Sequence, residues 1–185
     1  AKSAAAWGRD KGSVAINLSA ELKLDHGFKN SLVKTGDGEY YSTHWYYGVN
    51  GYNGAVGEAS SWKSALGNEQ VLVKAAGNAG RDYSAGMNQM ATATDTNGNL
   101  LLDGQMIIVG NYDTNNGKIN SSSNKAGTVC ATYKNNVCID AKKIKDFYIM
   151  ADGTGVTSTA ENGGYVTMSG TSMAAPVVTG SIAVL

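Results

Sequence analysis

The chain has 185 residues, a length that fits one domain or a large part of one. Its 15 basic and 15 acidic residues cancel, and no basic block stands out, which argues against nucleic acid or an anionic membrane as a partner. Apolar residues make up 42% of the composition, yet no apolar run approaches the roughly 18 residues that cross a membrane. We therefore expect a compact soluble domain without a membrane span.

Apolar periodicity and turn residues divide the chain into alternating strands and helices. Predicted helices cover 3–10, 59–67 and 171–185. Predicted strands cover 14–19, 70–75, 106–110, 128–133, 146–150 and 165–168. This alternation indicates an α/β fold with a largely parallel sheet flanked by helices.

Residues 20–58 form the larger of two insertions between these elements, and the other lies near 124–146. Both histidines, His26 and His44, fall in the larger insertion and are interpreted as ordinary loop residues. Aromatic residues also cluster there, and we expect their rings to pack on the domain rather than to form a platform for substrate side chains. They are Tyr40, Tyr41, Trp45, Tyr46, Tyr47 and Tyr52.

The segment 95–99, Asp-Thr-Asn-Gly-Asn, is rich in side-chain oxygens, as calcium-binding loops are. Leu100 stands where such a loop needs glycine, and Met106 stands where it needs glutamate. A hairpin turn at Asn97 and Gly98 is therefore the preferred interpretation, and we predict no metal site.

The two cysteines, Cys130 and Cys138, flank a predicted turn at 135–136. Strands paired across that turn would bring the cysteines close enough for a disulfide, and two free thiols are the alternative. A disulfide favours a secreted, periplasmic or cell-surface setting. Two cysteines without further ligands nearby do not make a structural zinc site.

The most informative stretch is 169–180, Ser-Gly-Thr-Ser-Met-Ala-Ala-Pro-Val-Val-Thr-Gly. Ser172 lies among small residues where an apolar helix is predicted to begin. A hydroxyl there sits beside free N–H groups at the positive end of the helix dipole, where developing negative charge is stabilised. A simple helix cap is the alternative. Pro176 lies too deep to be a first-turn proline and costs a helical hydrogen bond, which indicates a specific pattern rather than general helix propensity.

A second motif covers 71–80, Val-Leu-Val-Lys-Ala-Ala-Gly-Asn-Ala-Gly. It predicts a buried strand that ends in a small-residue loop presenting Asn78, which on its own is also typical of a turn. Together the two motifs resemble the serine and oxyanion segments of the subtilisin-like serine proteases, the subtilases. The resemblance implies that Ser172 is the nucleophile and that the Asn78 amide and the Ser172 N–H hold the oxyanion. It also implies a substrate cleft lined by Ser19, Ala20, Ala75, Ala76 and Gly77.

Further stretches fall in the family's order along the chain. They are 4–7 with 14–19, 106–110 with 119–123, and 148–153, where Asp152 replaces the family's proline. The resemblance thus spans nearly all of residues 1–185 and implies a partial subtilisin-like three-layer fold.

The same resemblance leaves the catalytic triad incomplete. In the family the order is Asp, His, Ser, and the first two precede the helix with which this chain opens. Neither His26 nor His44 lies in the family's histidine pattern, and a serine without a base is a weak nucleophile. The chain also ends without a helix cap. We therefore expect the C-terminal portion of a catalytic domain, inactive alone, with an open sheet edge that takes a complementary N-terminal fragment or self-associates.

The expected activity of the intact protein is that of a serine endopeptidase acting on peptides or proteins without a cofactor. The alternative is a non-catalytic subtilase-like fragment or surface-binding module. The cysteine pair resembles that of bacterial surface and autotransporter subtilases, in line with a secreted, periplasmic or cell-surface location.

Overall fold

The computed structural model describes residues 1–19, 32–34, 40–42, 51–81, 84, 86–126, 133–134, 137–138 and 144–185. Its helices are Lys2–Asp10 (α1), Gly51–Leu66 (α2) and Thr171–Ala183 (α3). The strands are Ala15–Leu18 (β1), Leu32–Lys34 (β2), Tyr40–Ser42 (β3), Val71–Ala75 (β4), Met106–Asp113 (β5), Lys118–Ile119 (β6), Tyr133–Lys134 (β7), Val137–Cys138 (β8), Tyr148–Asp152 (β9), Val156–Thr159 (β10) and Tyr165–Met168 (β11). Short 3-10 segments cover Gly86–Thr92 and Ile144–Phe147.

The central sheet is parallel through β1, β4, β5 and β9, in that spatial order. The short strand β6 pairs antiparallel with the end of β5. Among the residues that the structure describes, separate antiparallel pairs are formed by β2 with β3, β7 with β8 and β10 with β11. Within the described residues, β1 pairs only with β4, so it forms one edge of the sheet.

Helices cover both faces of this sheet. On one face, α1 and α2 enclose a core that includes Trp62, Leu66, Leu72 and Met106. On the other face, α3 packs against all four parallel strands, and its Ala174 and Val178 meet Val73, Ala75 and Val109. Successive strand residues thus point alternately into the two cores, as expected for a sheet that is buried on both faces. The predicted α/β fold, a largely parallel sheet flanked by helices, is confirmed.

The predicted start of α2 at residue 59 is wrong, because the helix begins at Gly51 and includes Tyr52. Glycines at 51, 54 and 57 hide this first part, since each lowers helix propensity by about 1 kcal/mol relative to alanine. Burial of Ala59, Trp62 and Leu66 on one face outweighs that cost. The two insertions themselves stay a prediction.

The other predictions outside the site have mixed outcomes. The hairpin at Asn97 and Gly98 is confirmed by antiparallel pairing of Thr94 with Leu100. Residues 127–132 lie outside the described chain, and so do His26, His44 and Cys130. Because β7 pairs Tyr133 with Cys138, the turn expected at 135–136 is flanked by paired strands, while the Cys130–Cys138 bridge stays a prediction. In the described residues no helix has the length and apolar character needed to cross a membrane.

Candidate active site

The start of α3 lies at the carboxyl ends of the parallel strands, where the chain leaves β1, β4 and β9. The backbone of Gly170 adopts φ 154° and ψ 169°, a conformation that is accessible essentially only to glycine. Its N–H donates to the Gly153 carbonyl at 2.9 Å, just after β9. A Cβ on Gly153 would lie 2.5 Å from the Gly170 carbonyl oxygen, so glycine is needed for this close approach. These two glycines fix where the helix begins.

Ser172 is tied to the end of β1 by a pair of reciprocal hydrogen bonds. Its hydroxyl donates to the Ser19 carbonyl at 2.6 Å. In return, the Ser19 hydroxyl donates to the Ser172 carbonyl at 3.0 Å. The Asn17 amide also donates to the Ser19 hydroxyl, at 2.9 Å. The half-buried Ser172 hydroxyl therefore has one defined position at the carboxyl end of the sheet.

Pro176 explains why the Ser172 carbonyl is available for this pairing. In a regular helix the N–H of residue 176 would donate to the carbonyl of residue 172, but proline has no N–H. Pro176 lies inside α3, and its missing bond leaves the Ser172 carbonyl to the Ser19 hydroxyl. The helical bond that the sequence gives up is thus replaced by a bond to β1.

Asn78 meets the same helix start through its side chain. The Asn78 Oδ1 atom accepts hydrogen bonds from the Thr171 N–H at 2.9 Å and from the Thr171 hydroxyl at 3.1 Å. Because a backbone N–H can only donate, the atom that faces it must be the amide oxygen rather than the nitrogen. The Thr171 hydroxyl in turn accepts from the Gly77 N–H at 3.1 Å. Thr171 is fully buried, while Asn78 is exposed. A Cβ on Gly170 would lie 3.3 Å from the Asn78 Nδ2 atom, so the NH2 group lies beside the residue that precedes α3.

Two hydrogen-bond donors at this point have no partner among the described residues: the Asn78 Nδ2 atom and the Ser172 N–H. The Ser172 N–H belongs to the first turn of α3, where orphan donors and the helix dipole favour negative charge. Both donors thus lie at the start of α3, the helix that carries Ser172. A pair of preorganised donors beside a nucleophile is the arrangement that stabilises an oxyanion.

Of the residues expected to line the substrate cleft, Ala75, Ala76 and Gly77 are buried. Ala75 and Ala76 are 2% and 3% exposed. The Ala76 carbonyl accepts from the side chains of Asn88 and Asn124, and the Gly77 carbonyl accepts from the Asn124 N–H. The backbone carbonyls of 76 and 77 thus point into the protein, and Ala20 lies outside the described residues. The substrate-binding role of these residues stays a prediction.

Two carboxylates, Asp152 at the end of β9 and Asp95 in the hairpin, have local hydrogen-bond partners. The Asp152 carboxylate accepts from the Thr114 hydroxyl at 2.6 Å and from the Thr154 N–H at 3.1 Å, and these bonds hold the pKa of Asp152 below its ordinary value. In the predicted hairpin, bonds from the Asn99 backbone and side chain likewise lower the pKa of Asp95. The described residues contain no cluster of three or more His, Cys, Asp or Glu that would hold a metal. The acceptor of the Ser172 hydroxyl among these residues is the Ser19 backbone carbonyl.

Comparison with known families assigns this chain to one family. The subtilase family, peptidase S8, matches residues 15–185. The chain therefore belongs to the subtilase family. A search of curated proteins returns no match.

Solved structures agree on the fold. The prenylagaramide maturation protease PagA is 20% identical, with a TM-score of 0.55, and the match covers 99% of this chain and 49% of PagA. The self-cleaved protease domain of PatA is also 20% identical, with a TM-score of 0.54 and coverage of 97% and 47%. The PatG macrocyclase in complex with peptide is 16% identical, with a TM-score of 0.50 and coverage of 97% and 37%. This chain spans about half the length of the first two structures.

Motifs alone predicted roles for Ser172 and Asn78, which stay predictions, and gave no role to the residues that contact them. Thr171 was visible only as a small residue beside the serine, and the Ser19 hydroxyl only as part of a cleft. Their partners lie 93 and 153 residues away in the sequence. The proline was a local signal, because its cost to the helix indicated a specific pattern, and the structure adds that the Ser172 carbonyl bonds to the Ser19 hydroxyl instead.

Proposed function

We propose that this chain provides the nucleophile and the oxyanion hole of a serine endopeptidase. The observation that carries the proposal is a pair of donors at the start of α3, Asn78 Nδ2 and the Ser172 N–H, which have no partner among the described residues. Membership of the subtilase family supports the reaction class.

In the proposed reaction the Ser172 Oγ atom attacks the carbonyl carbon of a peptide bond and gives up its proton to a base. The carbonyl electrons move to oxygen, and the Asn78 amide and the Ser172 N–H stabilise that oxyanion. Collapse of the tetrahedral intermediate breaks the C–N bond, and the amine leaves with the proton from the base. Water then cleaves the acyl-enzyme by the same steps and regenerates Ser172.

Another group has to act as the base. The Ser19 carbonyl accepts a hydrogen bond from the Ser172 hydroxyl, but it is not basic enough to take the proton at neutral pH. We infer that neither His26 nor His44 has this role and that a histidine and a carboxylate come from a segment that pairs with β1, along the edge where the described residues provide no partner strand. The exposed side chains of Trp7 and Val14, close in sequence to β1, fit such a contact. On this proposal the 185-residue chain alone is inactive.

Labelling with a fluorophosphonate probe tests this function. We expect the complete natural protein to be labelled at protease-like rates on Ser172, and Ser172→Ala to abolish labelling. Ser181→Ala is the matched control, since Ser181 is another α3 serine whose hydroxyl donates to a backbone carbonyl in its own helix. Protease-like labelling of the isolated chain would overturn the assignment of the base. No labelling of the complete protein would favour the non-catalytic surface-binding module.

The proposed setting is secreted, periplasmic or cell-surface, and it rests on the predicted Cys130–Cys138 bridge. Non-reducing peptide mapping of the natural protein should yield one linked peptide containing both cysteines. Two separate free-thiol peptides would remove the support for this setting.

A further inference from the structure

One side chain, that of Asn124, bridges the loop that carries Asn78. The Asn124 Oδ1 atom accepts hydrogen bonds from the N–H groups of Ala79 and Arg81, each at 3.1 Å. The Asn124 Nδ2 atom donates to the Ala76 carbonyl at 3.0 Å. A single planar amide therefore bonds the backbone on both sides of Asn78.

The backbone beside Asn124 strengthens this connection. The Asn124 N–H donates to the Gly77 carbonyl at 2.9 Å, and the Lys125 N–H donates to the Arg81 carbonyl at 2.9 Å. From the other side, the Gly80 N–H donates to the Ser122 carbonyl at 2.8 Å. Residues 76–81 are thus fastened along their length to residues 122–125.

Asn124 is itself fixed from behind. It is 4% exposed, and its carbonyl accepts from the Tyr148 hydroxyl at 2.7 Å and from the Ser123 hydroxyl at 3.0 Å. Burial raises the pKa of Tyr148, so the phenol keeps its proton and remains a donor. The Tyr148 hydroxyl occupies the space where a Cβ on residue 110 would be, which explains the glycine in β5.

We propose that Asn124 is a positioning residue for the oxyanion hole, because it fixes the backbone before and after Asn78 so that the Asn78 amide meets Thr171 in one orientation. The inference rests on the function proposed above. Asn124 bonds to the backbone of the Asn78 loop and not to Ser172, so it acts through Asn78. Asparagine suits the position because one side chain must both accept and donate.

Hydrogen exchange tests the clamp without any assay of activity. In Asn124→Ala, the amides of Ala79 and Arg81 lose their acceptor, and we expect their exchange in the complete protein to accelerate at least about tenfold. Asn124→Asp keeps the Oδ1 acceptor of both N–H groups but sets an oxygen against the Ala76 carbonyl, so we expect an acceleration at 79 and 81 that is smaller than in Asn124→Ala. Gln105→Ala is the matched control, because Gln105 is a buried amide that donates to the carbonyls of Gly67 and Gln70 at the opposite end of the sheet. It should leave the exchange of residues 79 and 81 unchanged.

A double-mutant cycle in the complete protein tests the catalytic consequence. Asn124→Ala should lower kcat by about 10- to 100-fold with little change in KM, since misplacement of an oxyanion donor weakens only transition-state binding. In an Asn78→Ala background the same substitution should change kcat by less than about twofold. Independent, multiplicative losses, or unchanged exchange at 79 and 81, would overturn the proposal. If the complete protein cleaves no peptide, the proposed function fails, while the exchange measurement still decides whether Asn124 holds the loop.

Discussion

Thr171 determines which way the Asn78 amide points. Its N–H and hydroxyl both donate to Asn78 Oδ1, and its hydroxyl accepts from Gly77. With the oxygen engaged, the NH2 group is the part of the amide that is left for substrate. The chemistry proposed for Asn78 thus depends on a fully buried neighbour.

Thr171→Val keeps the shape and the backbone bond but removes the hydroxyl. We expect kcat of the complete protein to fall about tenfold, the equivalent of one hydrogen bond. The free energy of unfolding should also fall by about 1–3 kcal/mol, because the buried Gly77 N–H loses its acceptor. Thr171→Ser should restore both. An unchanged kcat in steady-state assays of Thr171→Val would show that the threonine does not orient the amide.

The lowered pKa of Asp152 predicts that the free energy of unfolding falls in acid. Hydrogen bonds, first from Thr114 and then from Thr154, lower its pKa from the ordinary 3.8, so below that value the unfolded chain binds more protons than the folded one. This contribution is fully present above the ordinary pKa and is lost as the pH falls through the folded pKa. Urea unfolding at pH 7 and at about pH 3 should show this decline, and Asp152→Asn or Thr114→Val should make it shallower. An unchanged slope in both variants would contradict the assignment.

For individual residues, the sequence was informative where a short motif surrounds the residue. Ser172 and Asn78 stand in short, specific motifs, so the sequence alone could propose both as site residues. Asn124 follows a serine-rich loop that resembles the family, but its four bonds to residues 76–81 exist only once β5 has brought the two loops together. No spacing rule predicts that contact.

Among the elements, α3 shows how a helix can give up stability for the geometry of a site. Pro176 removes the partner of the Ser172 carbonyl, and the Ser19 hydroxyl takes its place. The helix is nevertheless stable, because Ala174, Ala175 and Val178 are buried against the sheet.

Pro176→Ala separates these two effects. The alanine N–H restores the helical bond, so we expect the free energy of unfolding to rise, by up to about 3 kcal/mol. The Ser19 hydroxyl then competes with the N–H of residue 176 for the Ser172 carbonyl. We therefore expect the rate of fluorophosphonate labelling of the complete protein to fall. Ser19→Ala should lower labelling without the gain in stability. Faster labelling in Pro176→Ala would contradict this account of the proline.

Strand β10 and helix α2 show where pattern reading of elements failed. Val156–Thr159 carries one apolar residue in four and is largely exposed, so no alternation marks it; its partner β11 was predicted correctly at 165–168. For α2, glycines concealed a helix that tertiary burial stabilises. Buried strands such as β4 and β5 were found because both faces are apolar.

For the whole molecule, the edge of the sheet at β1 affects whether the chain associates with another. Among the described residues β1 bonds only to β4, and Trp7 and Val14 nearby are 67% and 48% exposed. Unpaired strand edges beside apolar surface invite pairing.

We expect the isolated 185-residue chain to self-associate. Light scattering should show a molar mass that increases with concentration, and Trp7→Lys with Val14→Lys should reduce it, because charge beside an open edge opposes pairing. A monodisperse monomer of the unsubstituted chain at every concentration would contradict the prediction.

The structure of the complete protein after reaction with a fluorophosphonate tests the oxyanion hole most directly. We predict a phosphorus atom bonded to Ser172 Oγ, with the phosphonyl oxygen about 2.7–3.1 Å from both Asn78 Nδ2 and the Ser172 nitrogen. The Asn78 Oδ1 atom should still accept from Thr171. An adduct on another residue, or a phosphonyl oxygen directed away from both donors, would contradict the account.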